Sequence, residues 1–126
     1  MNSAIVCVGS NVDAENSIKA ATELLEKEQV LVASSVFVRT TPVGLSDQPD
    51  FTNGALKIET ELDITELRAY LKSLEARLGR VRGGDKNGPR VIDLDLVVFG
   101  GAIVDDDFEK YDFVREAVIE LQPDLA

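Results

Sequence analysis

Two helical stripes, each framed by strand-like runs, limit this chain to a small set of folds. From residue 13 to about 28, Ile18, Ala21 and Leu25 recur at helical spacing, which predicts an amphipathic helix. Leu67, Tyr70, Leu71, Leu74 and Leu78 form a second stripe. Asp63 and Glu66 stand at capping-box spacing before it, and Gly79 supplies a stop after it. Apolar residues 4–8 read as a buried strand, followed by a Gly9-Ser10-Asn11 turn. Residues 30–40 are rich in β-branched side chains and suit one long strand. Residues 51–61 alternate as a half-buried strand does, and residues 91–99 give another. The order is therefore strand-helix-strand, twice, and then a short helix carrying Val114, Ala117, Val118 and Leu121. Two such units commonly close into one antiparallel sheet with helices packed on one face. The expected class is α+β, ferredoxin-like.

Composition agrees with a single domain over residues 1–126. The chain is long enough to close a core without metal or disulfide staples. Hydrophobic residues make up 44%, so the chain should be globular. No apolar run approaches the ~20 residues a membrane span needs, and residues 1–8 lack the basic start of a signal peptide. The one cysteine, Cys7, lies in an apolar run and reads as a buried, inert thiol. A cytoplasmic protein is the expectation.

The formal net charge of -10 argues against nucleic-acid and anionic-lipid partners. The basic residues are bunched, however. Arg68, Lys72, Arg77, Arg80, Arg82, Lys86 and Arg90 share one stretch, opposed there only by Glu75 and Asp85. A solvated helix face accounts for Arg68, Lys72 and Arg77. It accounts less well for Arg80, Arg82 and Arg90, which flank a glycine-bearing loop at residues 80–89.

The run Gly88-Pro89-Arg90-Val91-Ile92-Asp93-Leu94-Asp95 follows that loop. On a strand, Asp93 and Asp95 point to the same face and Ile92 and Leu94 to the other. Paired carboxylates repel one another, so a cation must compensate. On spacing alone, an Asp–Arg network at a sheet edge is the commoner arrangement. With the loop and three arginines in range, a magnesium site becomes the stronger reading, since hard carboxylate oxygens and phosphate suit that ion. The chain has no histidine, which removes His-based acid–base schemes. Phosphoryl transfer survives that loss, because it depends on positioning and charge neutralisation. Gly9-Ser10-Asn11 is either a phosphate cradle or, on spacing alone, more simply a strand-to-helix turn. The segment Thr40-Thr41-Pro42-Val43-Gly44 is either a planar-ligand rim or a rigid turn. Phe51, Asn53 and Phe113 suit an aromatic ring, or the core.

Taken together, these pieces resemble the hydroxymethyl-dihydropterin pyrophosphokinases of folate synthesis. The resemblance runs through Gly9-Ser10-Asn11, Ser35 to Gly44, Asp47-Gln48-Pro49-Asp50-Phe51-Thr52-Asn53, Gly79-Arg80-Val81-Arg82, the Gly-Pro-Arg-x-x-Asp-x-Asp run, and Phe113-Val114 to Leu121-Gln122-Pro123-Asp124-Leu125. It implies transfer of pyrophosphate from ATP to the hydroxymethyl group of a reduced pterin, releasing AMP. It implies two magnesium ions on Asp93 and Asp95, and phosphate contacts from Arg80, Arg82 and Arg90, with Arg80 and Arg90 in catalytic roles. Glu75 would face the nucleotide. Thr40, Thr41, Pro42, Val43 and Gly44 would bond the pterin edge together with Asn53, while Phe51 and Phe113 flank its ring. The implied protein is a monomer or weak homo-oligomer working on small molecules.

The chain also departs from that family. Residues 105–111 replace a longer segment that normally carries a histidine and an arginine, and the replacement is acidic. Phe51 stands where tyrosine is frequent, Asn87 where tryptophan is, and Lys72 where glutamine is. Reduced or adapted activity is one consequence. A pterin- or nucleotide-binding protein without catalysis is another, and an acidic ferredoxin-like interaction domain is a third.

Overall fold

The computed structural model describes residues 1–40, 50–79 and 92–126. Strand β1 (Asn2–Ser10) is followed by helix α1 (Ala14–Glu28), β2 (Val30–Ser34), β3 (Val38–Thr40) and β4 (Phe51–Thr60). Helix α2 (Ile64–Arg77), β5 (Asp93–Phe99), β6 (Ala102–Ile103), α3 (Asp107–Lys110) and α4 (Asp112–Leu121) follow. The sheet order is β2-β4-β1-β5-β6, with β3 also on β4 and every pairing antiparallel. This is the expected α+β, ferredoxin-like arrangement with a short hairpin strand added at one edge.

The two faces of the sheet have separate cores. Ala4, Val6 and Val8 of β1, Leu56 and Ile58 of β4, and Leu94 and Leu96 of β5 pack with Ala21 and Leu25 of α1 and Leu67, Leu71 and Leu74 of α2. The helices of the two repeated units thus share one face, as expected. Each fully buried Leu or Ile there contributes roughly 1.5–3 kcal/mol, which fixes strand register, because a one-residue slip would turn the apolar set outward. The opposite face packs Ile5, Ala55, Val97 and Val98 against Phe108 of α3 and Val114, Ala117 and Val118 of α4. This second face carries the candidate site.

Local signals explain the element ends. At α2, Asp63 accepts from the Glu66 amide and the Glu66 side chain accepts from the Asp63 amide, so two otherwise orphaned donors are satisfied. Gly79 follows α2 with φ 83°, the left-handed conformation that glycine supplies at least cost. Arg77 pairs with Glu28 at 2.7 Å across the α1–α2 seam, with Tyr70 on the same carboxylate. Those hydrogen bonds hold the Glu28 carboxyl down at about 2. Arg77 therefore belongs to the helix face, as its position suggested.

Two expectations change. Gly9 and Ser10 are not a turn; they complete β1, because β4 and β5 pair with it on both sides as far as Gly9. The single strand over residues 30–40 is two strands. Between them, the Ser35 amide donates to the Ala55 carbonyl while the Ser35 hydroxyl accepts from the Ala55 amide at 2.8 Å. The Val36 amide donates to the Glu120 carboxylate of α4 at 3.0 Å. The Phe37 ring lies so close to Gly54 that a Cβ there would come within 2.5 Å of it. The strand is interrupted by these tertiary contacts, not by any weak strand former. At the far edge, Gly100 and Gly101 turn β5 into β6 with φ of 60° and 83°, and β6 ends at Ile103.

Candidate active site

The site is built from the ends of three adjacent strands. The register sets Gly9 of β1 opposite Asn53 of β4 on one side and Asp93 of β5 on the other. The next row is Ala55, Cys7 and Asp95. Partners in an antiparallel row project to the same face, and Ala55 belongs to the α4-side core. Asn53, Asp93 and Asp95 therefore share the α4 side of the sheet. The expectation that the two aspartates point together holds, with Leu94 between them in the opposite core.

Asp93 is half-buried and Asp95 is exposed. Protein nevertheless crowds Asp95, and its carboxyl is pushed up to about 7. Lost hydration is the largest cause, followed by the charges of Asp93, Glu75, Asp107 and Asp105. Burial and neighbouring aspartates also raise Asp107. The β5–β6 hairpin explains this crowding. Val98 pairs with Ile103, and the Val104 amide donates to the Val97 carbonyl at 2.8 Å. The returning chain therefore runs back along β5 toward Asp95, and Phe108 anchors it in the α4-side core. The Asp105, Asp106 and Asp107 carboxylates lie within 4.8 Å of one another. The sequence showed this segment as acidic but not its place; only the hairpin register brings it beside Asp95.

Glu75 is also where chemistry rather than exposure decides. It is 3% exposed on α2, and its carboxylate accepts the Leu94 amide at 2.8 Å. That bond falls between Asp93 and Asp95 and fixes the backbone carrying them. Cys7, in the Asp95 row, is half-buried, and burial followed by the Asp95 charge pushes its thiol up to about 12. A thiol held that high stays protonated at neutral pH, although Cys7 is less buried than its apolar run suggested.

On the other side of Gly9, the Asn53 amide group donates to the Thr40 hydroxyl at 2.5 Å. Phe51 pairs with Thr40 across β3–β4. A Cβ built on Gly9 would lie 2.5 Å from the Asn53 Oδ1 and 3.9 Å from the Phe51 ring. Asn53, Thr40 and Phe51 thus form one cluster at the end of β4. Phe113 opens α4, half-buried against the α4-side core, with its ring stacked on Tyr111 at 5.5 Å between centroids. The sequence reading missed Tyr111; its spacing from Phe113 at a helix start was the available signal. Thr41, Pro42, Val43, Gly44, Arg80, Arg82 and Arg90 lie outside the described residues, as does the proposed loop at 80–89.

The donor set fits a hard divalent cation. Two carboxylates on one strand face, with further carboxylates close by, present oxygen ligands and excess negative charge. This end of the sheet therefore sets carboxylate oxygens, a carboxamide and aromatic rings on one face.

Comparison with known proteins points the same way. A family model described as 7,8-dihydro-6-hydroxymethylpterin-pyrophosphokinase matches residues 5–123. The 2-amino-4-hydroxy-6-hydroxymethyldihydropteridine pyrophosphokinase of Methylorubrum extorquens is 40% identical over 128 residues, covering 98% of this chain and 80% of that protein. Its namesake in Haemophilus influenzae is 33% identical over 138 residues, covering 99% and 84%. A folate synthesis bifunctional protein of Arabidopsis thaliana is 37% identical over 98 residues; the match covers 76% of this chain but 20% of that larger protein.

Proposed function

The chain belongs to the 7,8-dihydro-6-hydroxymethylpterin-pyrophosphokinase family, and from that premise we infer that it transfers pyrophosphate from ATP to the hydroxymethyl group of a reduced pterin in folate synthesis. One observation carries the reading into the structure: Asn53 and Asp93 flank Gly9 in a single row on one sheet face. On this reading Asn53 is the carboxamide that binds the acceptor, and it shares that face with carboxylates suited to the nucleotide's metal.

In the transfer, the acceptor hydroxyl oxygen bonds to the β-phosphorus of ATP. The bond from that phosphorus to the α,β-bridging oxygen breaks, AMP leaves with its electrons, and the hydroxyl proton passes to solvent. The chain's residues contribute position and charge. Asn53, held by Thr40, hydrogen-bonds the edge of the pterin, joined by the backbone from Thr40 to Gly44. Phe51 and Phe113 flank the ring. Asp93 and Asp95 would hold magnesium, with two ions the expected number, and Glu75 steadies the strand that presents them. Magnesium, when bound, neutralises phosphate charge. Arg80, Arg82 and Arg90 meet phosphate oxygens, to which guanidinium forks are matched, and Arg80 and Arg90 do so at the transferred group.

All these partners are small molecules. A monomer or weak homo-oligomer in the cytoplasm suffices for this reading, because one chain supplies every residue in it. The acidic surface disfavours nucleic acid. Among the described residues no helix is long and apolar enough to cross a membrane.

The experiment is incubation with 6-hydroxymethyl-7,8-dihydropterin, ATP and magnesium, with AMP and the pterin diphosphate as readouts. Asp93→Ala and Asp95→Ala should each abolish the product. No AMP above background at high protein and ATP concentration removes the activity. A pterin-binding protein without catalysis is the second reading, and the Asp105–Asp107 carboxylates beside Asp95 are what favour it. Its signature is pterin binding in calorimetry without magnesium-dependent ATP binding.

A further inference from the structure

Gly9 is the one position in the Asn53–Gly9–Asp93 row without a side chain, and its backbone does not require this. Among the described residues the positive-φ glycines are Gly79, Gly100 and Gly101, and Gly9 is not one of them. Space is the reason. A Cβ on Gly9 would stand 2.5 Å from the Asn53 Oδ1, closer than non-bonded atoms can approach. Asn53 therefore lies across the bare backbone of β1, while its amide nitrogen is tied outward to Thr40 at 2.5 Å. One row further along, Cys7 fills the corresponding place between Ala55 and Asp95. The gap is thus local to the row where Asn53 and Asp93 face each other, roughly 10 Å apart at two strand spacings.

We propose that Gly9 is a positioning residue for the acceptor. By leaving the floor bare, it lets Asn53 lie flat, and this sets how far the bound acceptor's reacting hydroxyl stands from the Asp93 side. The inference rests on the activity proposed above and adds the residue that sets the geometry between its two halves. A methyl group on Gly9 pushes the Asn53 carboxamide off the floor and away from Thr40. The acceptor then loses its anchor, or binds displaced toward solvent. The carboxylates on β5 are untouched, so nucleotide binding stays as it was.

The test uses Gly9→Ala, Asn53→Ala and the double variant in the full chain. Four quantities are read: kcat/KM for the pterin from AMP release, pterin affinity from fluorescence quenching, affinity for a non-hydrolysable magnesium–ATP analogue from calorimetry, and the melting temperature. Gly9→Ala is expected to lower kcat/KM for the pterin on the order of 100-fold, the scale of an ångström-sized misplacement, and to leave analogue affinity unchanged. Because the effect passes through Asn53, adding Gly9→Ala to Asn53→Ala should cost far less than it does alone, a coupling that the cycle reads directly. The melting temperature should show the same non-additivity. If Gly9→Ala alone fails to fold, the double variant, which has no carboxamide to clash, is compared with Asn53→Ala; equal pterin affinity supports the proposal and a further large loss overturns it. Parent-like pterin kinetics in Gly9→Ala, or additive losses, overturn it while leaving the activity standing. A parent protein that neither releases AMP nor binds pterin overturns the activity and the inference together.

Discussion

Ser35→Ala should destabilise this protein far more than its single lost hydroxyl suggests. The hydroxyl takes the place of a strand carbonyl: it accepts the Ala55 amide at 2.8 Å and donates to the Val36 carbonyl at 3.0 Å. Ser35 is 6% exposed and Ala55 0%, so the alanine variant leaves the Ala55 amide with neither protein partner nor ready access to water. An unsatisfied buried donor costs about 1–3 kcal/mol. The Val36 carbonyl adds little, because Val36 is exposed and water can replace the lost donor. Taking ~2 kcal/mol, and an unfolding entropy that grows with chain length, the melting temperature should fall by about 7 °C in a domain of this size. Ser34→Ala is the matched control. Its hydroxyl donates to the Ser35 carbonyl at 3.1 Å from an exposed position, its one hydrogen bond among the described residues, so its change should stay within ~0.5 kcal/mol. Urea unfolding with a shared slope gives the comparison. If Ser35→Ala unfolds at the same urea concentration as Ser34→Ala, the Ser35–Ala55 contact does not bridge the break between β2 and β3, and the explanation of that break is wrong.

Two further outcomes follow from the charge at the site. Asp105→Asn with Asp107→Asn removes two of the charges that act on Asp95; affinity for the magnesium–ATP analogue should rise several-fold at low salt, and the gain should shrink as salt screens it, which calorimetry at two ionic strengths will read. The metal-free protein should also carry a pH signature from Asp95. Its carboxyl is pushed up to about 7 in the folded chain from an ordinary 3.8, so the folded state holds the extra proton between those values. The contribution favours folding at low pH and is lost as pH rises through about 7. In chelator, Asp95→Asn should therefore gain stability over the parent at pH 8 and keep only a smaller part of that gain at pH 5, as urea midpoints at the two pH values will show; an equal gain at both would refute the assignment.

How much of this was legible in the sequence depends on which interactions are local. The α2 boundaries were, because a capping box and a C-terminal glycine act within a turn of the residues that encode them. The strand cores were, because alternation reports the face each residue buries. The pointing of Asp93 and Asp95 to one face was legible too, since it needs only a strand. What was hidden depends on partners far along the chain. Ser34, Ser35, Val36 and Phe37 contain nothing that forbids a strand; the break comes from Ala55, Gly54 and Glu120. Gly9 looks like a turn residue until β4 and β5 are placed on either side of it.

The acidic segment shows the functional weight of such long-range terms. Residues 105–107 are separated from Asp95 by a tight glycine turn, and their charge reaches it only because Val98 pairs with Ile103 and Phe108 is buried behind. The β5–β6 pairing and the burial of Phe108 thus fix the segment at both of its ends. Apolar burial therefore holds like charges beside one another against their repulsion. A bare polyanion approaching this end of the sheet meets Asp93, Asp95, Asp105 and Asp107 at once. Neutralisation by cations must come with the nucleotide or before it, and the half-saturating magnesium concentration should report how strongly the segment is felt.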